Sequence, residues 1–165
     1  MKAKVIDNFL DESYFNHISD IICGDRFNWH ANEYSDYKDD PKDNNIQFTH
    51  VFMYQGYVAQ SSELIRDMLI KINPLAVNRV KANLIVRTEK PVKQNFHIDI
   101  QESKKYQSGI LYLNTNNGYT LFEDGTKVEC VANRFLRFPG PMRHCAVTQT
   151  DTPFRVVINA NWVDF

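Results

Sequence analysis

The stretch NFHIDI, residues 95–100, alternates two strongly polar side chains with apolar ones. Successive side chains of an extended chain point to opposite faces, so His97 and Asp99 share one face. Because a buried carboxylate without a partner is costly, this face must meet solvent, a hydrogen-bonding network or a metal ion. The pair alone is weak support for a metal, since a hydrogen-bonded His–Asp pair at a sheet edge explains it equally well.

A metal at this face needs a third ligand, and His144 is the best-placed of the remaining histidines. It follows the turn-forming Pro-Gly-Pro at 139–141 and opens the apolar run HCAVTQ, so a turn would deliver it at the start of a strand. Two histidines and a carboxylate form the facial triad of non-heme iron(II), which leaves three coordination positions open. By contrast, His17 lies in a helical pattern, His30 flanks a polar loop and His50 lies within a strand pattern.

Arg155, which comes shortly after His144 in the run FRVVINANW, adds chemistry of a different kind. If its strand is the antiparallel neighbour of the His144 strand, the guanidinium lies close to the predicted metal. Arginine binds a carboxylate through two parallel hydrogen bonds, which suits a dicarboxylic acid. Considered alone, however, Arg155 fits a surface salt bridge better.

Two amphipathic helices are predicted to support these residues. The first follows Asp11, a suitable N-cap, and ends at Gly24. The second is predicted to be capped by Ser61 or Ser62 and to stop at Asn73. Their buried stripes are predicted to consist of Tyr14, Phe15, Ile18, Ile21 and Ile22 in the first helix, and of Leu64, Ile65, Met68, Leu69 and Ile72 in the second.

Most of the remaining chain is predicted to form strands. IQFTHVFMY (46–54) and VKANLIVR (80–87) precede the His97 motif, and six short apolar runs follow it between residues 108 and 162. Turn signals rich in Asn, Gly, Asp and Pro separate several of these runs. Many short strands at close intervals indicate an antiparallel sandwich or barrel, with the two helices covering one outer face of a sheet.

One stretch, ANEYSDYKDDPKDNN at 31–45, is polar and has no useful period. It is predicted to be a long surface loop. Its length, and the amphipathic rings of Tyr34 and Tyr37, suggest a lid that closes beside the metal and helps to select the substrate. A plain solvated loop is the alternative interpretation.

Composition narrows the class of protein. The 165 residues suffice for one domain, and the apolar fraction of 43% favours a packed globular protein over a disordered one. A net charge of -1 provides no general attraction for nucleic acid or an anionic membrane, and no stretch approaches 18 consecutive apolar residues. The three cysteines form no CxxC pair, which disfavours a zinc ribbon or a disulfide framework. The absence of a long apolar segment near the N-terminus and the few cysteines make a reducing cytoplasm the expected location.

Taken in order, these motifs resemble a known family. The chain contains, in this order, His97-x-Asp99, YLN (112–114), GYTLF (118–122), a Pro-Gly turn, His144 and Arg155. Together these motifs resemble the 2-oxoglutarate and Fe(II)-dependent oxygenases, in particular their prolyl 4-hydroxylase-like branch. The resemblance extends over about residues 80–163. It implies a single domain spanning 1–165 and mainly β, with a double-stranded β-helix core of the jelly-roll or cupin-like type over about 79–165. The two N-terminal helices, within about 1–78, would buttress that core.

The resemblance also implies roles for individual residues. His97, Asp99 and His144 would bind Fe(II) and form the catalytic centre. Arg155 would bind the distal carboxylate of the cosubstrate 2-oxoglutarate, and Tyr112 matches a position that often hydrogen-bonds the same carboxylate.

Two departures from the family pattern qualify this assignment. Asn117-Gly118 stands where the family often has Gly-Gly, which is a mild change. Arg87-Thr88 stands where a second tyrosine often precedes the HxD motif, which makes Arg87 a further candidate for contact with an anion.

The implied reaction is oxidation of a C–H bond of a protein side chain or small molecule by dioxygen, with release of succinate and carbon dioxide. The protein would position the reactants and exclude water, and ascorbate is expected as an assay additive. Related halogenases leave the carboxylate position vacant for halide. Because Asp99 fills that position here, hydroxylation or demethylation is favoured over halogenation.

Three other functions fit parts of the sequence. A non-catalytic jelly-roll binding module has no need to keep the triad and Arg155 together, and a cupin-like metalloenzyme that does not use 2-oxoglutarate makes no demand on Arg155. A nucleic-acid demethylase of the same superfamily is disfavoured by the near-neutral charge. The sequence identifies neither the prime substrate nor the oligomeric state.

Overall fold

The computed structural model of the protein describes residues 2–32, 46–100 and 105–164. Two antiparallel sheets face each other, and two helices cover the outer side of the larger sheet. The predicted mainly β fold with flanking helices is therefore confirmed. The predicted lid at 31–45, with Tyr34 and Tyr37, lies almost entirely outside the described residues.

The strands have the following bounds in chain order. They are β1 (Lys4–Ile6), β2 (His30–Asn32), β3 (Gln47–Tyr54), β4 (Tyr57–Val58), β5 (Ala76–Val86), β6 (Tyr106–Tyr112), β7 (Tyr119–Phe122), β8 (Lys127–Glu129), β9 (Phe135–Pro139), β10 (His144–Val147) and β11 (Phe154–Val163). The larger sheet has the order β1-β9-β6-β11-β5-β3-β2, with β4 paired to β3, and the smaller sheet has the order β10-β7-β8. The N-terminal part of the chain thus supplies strands β1 to β4 as well as helices.

The segment that contains NFHIDI is not the regular strand that its alternation predicts. It runs beside β10 and is held there by isolated bridges, Lys93 with Val147 and His97 with His144. His97 exchanges both backbone hydrogen bonds with His144, at 2.9 and 3.0 Å. Beyond this pair, residues 98–100 belong to no strand, so the chain can turn Asp99 into the space between the sheets.

The first helix, α1 (Glu12–Ile22), begins as predicted. The Asp11 carboxylate accepts hydrogen bonds from the backbone N–H groups of Ser13 and Tyr14. Phe15, Ile18 and Ile22 are buried against the sheet. Ile21, which the sequence places in the buried stripe, is instead 38% exposed, because it lies at the margin of the apolar face.

The second helix differs from the prediction at its start. Residues Gln60–Ile65 form a 3₁₀ helix, and α2 (Arg66–Ile72) continues from it without a side-chain cap. Neither predicted capping serine caps a helix, because both are engaged by β3. Ser62 donates to the carbonyl of Phe52, and the Ser61 hydroxyl lies 2.7 Å from His50 Nε2. Asn73 ends α2 in the left-handed conformation, with φ of 51°.

Alternation along the central strands separates two apolar layers. On β11, Val156, Ile158, Ala160 and Trp162 join the helices in one buried cluster. Val157 points the other way and packs in a second cluster between the two sheets. There Phe122 of the smaller sheet meets Phe138 of the larger one edge-on, with ring centroids 5.1 Å apart. This second layer fills part of the space between the sheets, and the remainder has a wall of mixed polar and aliphatic residues.

Candidate metal centre and cosubstrate pocket

His97, Asp99 and His144 converge between the two sheets, with one potential ligand atom of each lying within 4.8 Å of the others. His97 Nε2 is 4.0 Å from Asp99 Oδ1, and His144 Nε2 is 3.8 Å from Asp99 Oδ2. His144 is 3% exposed, and the Asp99 side chain is 5% exposed. The donor set and its spacing suit a metal ion that prefers two imidazoles and a carboxylate.

Both imidazoles are oriented by backbone carbonyls. His97 Nδ1 lies 3.3 Å from the carbonyl oxygen of Asn95, and His144 Nδ1 lies 3.1 Å from that of Met142. A carbonyl can only accept, so these contacts favour the tautomer with the proton on Nδ1. The lone pair of each ring is then on Nε2, the nitrogen that faces Asp99. Contacts of this kind fix ring orientation around metals in proteins.

The carboxylate of Asp99 is held by two side chains from neighbouring strands. Arg79 of β5 donates from Nη2 to Asp99 Oδ1 at 3.1 Å, and Asn161 of β11 donates from Nδ2 to Oδ2 at 3.1 Å. Arg79 also donates from Nε to Asn161 Oδ1 at 3.0 Å, which closes a ring of three side chains. Asn161 Nδ2 lies 3.0 Å from the hydroxyl of Ser108 as well.

This ring forms beside an irregularity in the ladder. Asn161 pairs directly with Arg79, but the next residue, Trp162, pairs with Val77, so β5 bulges at Asn78. Bulges change the direction of side chains, and they are frequent beside functional sites.

The charged groups around Asp99 also affect the ionisation of its carboxyl group. Burial raises the pKa of Asp99, but the adjacent His144, Arg79 and His97 outweigh it and hold the pKa below the ordinary 3.8.

Arg155 enters the same space from the opposite sheet. On the sequence alone, its strand, β11, is a candidate for the antiparallel neighbour of the His144 strand. The two strands are not neighbours, because β11 is in the larger sheet and β10 is in the smaller one. Arg155 is 3% exposed and donates from Nη2 to Thr120 Oγ1 at 3.3 Å. Its Nε is buried and has no hydrogen-bond partner among the described residues. A buried guanidinium with an unused donor fits an anion in the cavity.

Tyr112 lies behind this arginine rather than in the cavity wall. Its hydroxyl is 2.7 Å from Thr120 Oγ1, and the Arg155 guanidinium lies 5.6 Å from the centre of its ring. Burial raises the pKa of Tyr112 to about 12, so the phenol stays protonated at neutral pH. Cys130 is a further neighbour of Arg155, and burial raises the pKa of its thiol despite the adjacent guanidinium.

One cavity joins the His97–Asp99–His144 cluster to Arg155. With its open mouth included, it holds about 480 Å³ of empty space. The described residues that line it are Gln47, Lys81, Asn83, Ile85, Gln94, His97, Asp99, Ile110, Thr120, His144, Cys145, Ala146, Arg155, Val157 and Asn159. The predicted ligands and the predicted anion-binding arginine are therefore in one pocket.

Several residues considered from the sequence lie elsewhere. His17 and His30 are exposed, and His50 is on the helix side of β3, where it contacts Ser61. Arg87 follows the end of β5, is exposed and is absent from the cavity wall. The cationic group that β5 does contribute to the wall is Lys81.

Sequence reasoning missed the polar residues that surround the cluster. Arg79, Asn83, Asn159 and Asn161 all lie on the inner face of the β5–β11 pair. One signal was present in FRVVINANW, where Arg155, Asn159 and Asn161 occupy alternate positions opposite an apolar face. Whether these β11 residues reach the cavity also depends on the pairing of β11 with β5, and the alternating pattern of the sequence does not reveal that pairing.

Comparison with known proteins bears on the fold. No protein-family model and no curated protein matches the sequence. Solved structures do match. A 2OG-Fe(II) family oxidoreductase from Burkholderia pseudomallei has a TM-score of 0.70 at 12% identity, over 98% of this chain and 85% of its own. A Trichoplax adhaerens prolyl hydroxylase, in complex with a hypoxia inducible factor peptide fragment, has a TM-score of 0.64 at 12% identity, over 98% and 83%.

A third structure has a different activity. The epimerase SnoN, in complex with Fe3+, alpha ketoglutarate and nogalamycin RO, has a TM-score of 0.66 at 10% identity, over 98% of this chain and 78% of its own. The protein has the fold of the 2-oxoglutarate and Fe(II)-dependent oxygenases. This oxygenase fold accommodates more than one reaction type among its members.

Among the described residues, no helix combines the length and apolar character that crossing a membrane requires.

Proposed function

We propose that this oxygenase-fold protein is a 2-oxoglutarate and Fe(II)-dependent dioxygenase that hydroxylates a C–H bond of a protein side chain or small molecule. The observation that carries the proposal is the shared cavity of His97, Asp99, His144 and Arg155. It supplies a metal donor set at one end and a buried guanidinium with an unused Nε donor at the other. A metal and a dianionic cosubstrate would satisfy both.

His97, Asp99 and His144 would hold the metal through the two Nε2 atoms and one carboxylate oxygen. This donor set suits Fe(II) and leaves coordination positions for small ligands. When bound, Fe(II) and 2-oxoglutarate supply the oxidising chemistry, in which dioxygen is consumed and succinate and carbon dioxide are released. Because Asp99 provides the carboxylate, hydroxylation is favoured over halogenation.

Arg155 would bind the distal carboxylate of 2-oxoglutarate. Thr120 is placed to assist, because it already accepts from Arg155 and lines the cavity. Tyr112 would act through Thr120, since its hydroxyl contacts Thr120 and its ring packs near the guanidinium. This differs slightly from direct hydrogen bonding by the tyrosine, which the family resemblance implies.

The alternatives explain less of the cavity. A cupin-like metalloenzyme without 2-oxoglutarate leaves the Arg155 Nε without a partner. A non-catalytic binding module leaves no role for two imidazoles oriented toward a shared carboxylate. A buried donor or acceptor without a partner carries a desolvation cost. This favours the dioxygenase, in which the metal and 2-oxoglutarate pair with these groups.

Anaerobic calorimetry with Mn(II), followed by 2-oxoglutarate, tests the proposal. His144→Ala should abolish measurable metal binding, whereas the exposed His17→Ala should leave it unchanged. Arg155→Ala should retain metal binding but lose about 2–5 kcal/mol of cosubstrate affinity, since it removes the partner of a buried anion. Metal-dependent succinate release from 2-oxoglutarate is the corresponding activity assay. Parent-like metal binding by His144→Ala contradicts the metal assignment, and parent-like 2-oxoglutarate binding by Arg155→Ala favours the cupin-like alternative.

A further inference from the structure

Cys130 is a buried thiol that has no part in the metal and cosubstrate contacts proposed above. It is 1% exposed, it forms no disulfide, and it is not among the described residues that line the metal cavity. The Arg155 guanidinium nevertheless interacts with its sulfur, both through charge and through hydrogen bonding. The thiol therefore contacts the proposed anion-binding residue from the side that faces away from the cavity.

Backbone hydrogen bonds fix the position of this thiol. The N–H group of Cys130 donates to the carbonyl of Gly118 at 3.2 Å, and the carbonyl of Cys130 accepts from the N–H group of Asn116 at 3.1 Å. Gly118 packs closely against the arginine, since a Cβ at residue 118 would lie 3.2 Å from Arg155 Cδ. Cys130 is thus bonded to the same piece of backbone that contacts the stem of Arg155.

The direction of the thiol proton is fixed as well. Cys130 Sγ lies 3.3 Å from the carbonyl oxygen of Asn114, which can only accept, so the S–H group donates there. Asn116 donates from Nδ2 to the same sulfur at 3.3 Å. The orientation of the Asn116 amide is set independently, because its Oδ1 accepts from the N–H group of Gly118 at 3.0 Å. The sulfur therefore presents its lone pairs to donors, and Arg155 is one of them.

The side chains of Thr120, Tyr112 and Cys130, which lie beside the guanidinium, are uncharged at neutral pH. Burial raises the pKa of the Cys130 thiol and also that of the Tyr112 phenol, and the Thr120 hydroxyl does not ionise. A carboxylate in place of the thiol would pair with Arg155 and compete with an anion in the cavity. A neutral acceptor can hold the guanidinium and still leave its charge available to a ligand.

We propose that Cys130 is a positioning residue for cosubstrate binding, whose sulfur accepts from Arg155 and keeps the guanidinium directed toward the distal carboxylate of 2-oxoglutarate. Cys130 itself does not touch the cosubstrate and acts through Arg155. The inference rests on the proposed dioxygenase function. It predicts that the loss of the sulfur affects recognition of the distal carboxylate and leaves metal binding unchanged.

Two oxoacids test this role in the Mn(II) complex. The first is 2-oxoglutarate, and the second is 2-oxopentanoate, which has a methyl group in place of the distal carboxylate. Cys130→Ala should bind 2-oxoglutarate about tenfold more weakly than the parent, as expected for the loss of one hydrogen bond to a charged group. Its affinities for Mn(II) and 2-oxopentanoate should stay within about twofold of the parent, because neither of these ligands needs the guanidinium. Calorimetry measures Mn(II) and 2-oxoglutarate binding, and the broadening of proton resonances by Mn(II) measures the weaker 2-oxopentanoate.

Two further variants separate positioning from packing. Cys130→Ser keeps a neutral acceptor at the same position, so it should restore most of the 2-oxoglutarate affinity that Cys130→Ala loses. Cys23→Ala is the control, since Cys23 lies at the end of α1 and is absent from the described wall of the cavity. This variant should bind both oxoacids like the parent.

Several results would overturn the role of Cys130. They are parent-like 2-oxoglutarate affinity in Cys130→Ala, equal weakening of both oxoacids, no recovery in Cys130→Ser, or loss of Mn(II) binding in Cys130→Ala, which would show a general structural role. If the parent binds Mn(II) and 2-oxoglutarate, any of these results rejects the inference alone. Failure of the parent itself to bind Mn(II) and 2-oxoglutarate rejects the proposed function and the inference with it.

Discussion

Arg79 donates to the carboxylate of Asp99 across 3.1 Å, so a guanidinium holds the one proposed metal ligand whose backbone is neither in a strand nor in a β-bridge. His144 is fixed by β10, and His97 is fixed by its bridge to His144. Within the described parts of the chain, Asp99 is in no strand or bridge, and side chains hold its carboxylate. Arg79 and its register partner Asn161 provide that support from the rigid β5–β11 pair.

We therefore expect Arg79→Met to lower Mn(II) affinity about 10- to 100-fold, which is typical for loss of a residue that orients a metal ligand. Calorimetric titration measures the change. Removing a positive charge near a dication acts in the opposite direction. An unchanged affinity would mean that relief of charge repulsion cancels the loss of positioning, and a higher affinity would mean that it exceeds that loss; either result contradicts the prediction.

Two companion variants sharpen this test. Arg79→Lys keeps the charge but cannot reach Asp99 and Asn161 together as the guanidinium does, so it should also bind Mn(II) more weakly. Full affinity in Arg79→Lys would show that charge alone suffices. Arg134→Met is the control. Arg134 is about as shielded from solvent as Arg79, but it pairs with Asp7 away from the cavity, so this variant should keep the Mn(II) affinity of the parent.

Metal binding should stabilise the fold. At free Mn(II) about 100-fold above its dissociation constant, the free energy of unfolding of the parent should rise by about 2.7 kcal/mol, because only the folded chain assembles the three ligands. Urea denaturation with Mn(II) and with EDTA measures this difference. His144→Ala should show no rise, and an equal rise would place the bound Mn(II) at another site.

Gly118 should be essential for the position of Arg155. A Cβ at residue 118 would lie 2.9 Å from the carbonyl oxygen of Val147, 2.9 Å from Asn116 Oδ1 and 3.2 Å from Arg155 Cδ. Gly118→Ala must therefore displace the arginine or its surroundings. We expect it to weaken 2-oxoglutarate binding while Mn(II) affinity stays the same, as measured by sequential titration. Loss of both affinities would indicate general unfolding of the pocket instead.

The raised pKa of Tyr112 predicts a change of stability at alkaline pH. Burial raises this pKa from 10.0 to about 12, so the folded state keeps the phenol proton after the unfolded state has lost it. The stability associated with the protonated phenol is complete below pH 10 and is lost as the pH rises toward 12, by about 3 kcal/mol for two pKa units.

Tyr112→Phe isolates this contribution. At pH 8 it should be less stable than the parent, because the hydrogen bond to Thr120 is lost at a net cost of about 1 kcal/mol. Toward pH 12 the order should reverse, since the variant has no phenol to ionise. Urea denaturation at the two pH values measures both differences, and a constant difference would contradict the raised pKa.

Much of the architecture follows from local patterns in the sequence. The α1 cap at Asp11, the end of α2 at Asn73 and most strands match their predictions, because capping chemistry and apolar period act over a few residues. The start of α2 does not match, since Ser61 and Ser62 bond to β3 rather than to the helix. A competing tertiary hydrogen bond is invisible to a rule about neighbours in the sequence.

The sequence by itself indicated which residues could form a metal centre. His97 and Asp99 lie two residues apart, and a turn delivers His144, so their types and spacing could be read directly. Only the tertiary structure decided what surrounds them. It put Arg155 in the sheet opposite His144, paired Arg79 with Asn161 beside Asp99, and left the amides of Asn83 and Asn159 facing one cavity. The physical reason is that strand register and sheet facing join residues far apart in the chain, whereas alternation fixes only the face on which each side chain lies.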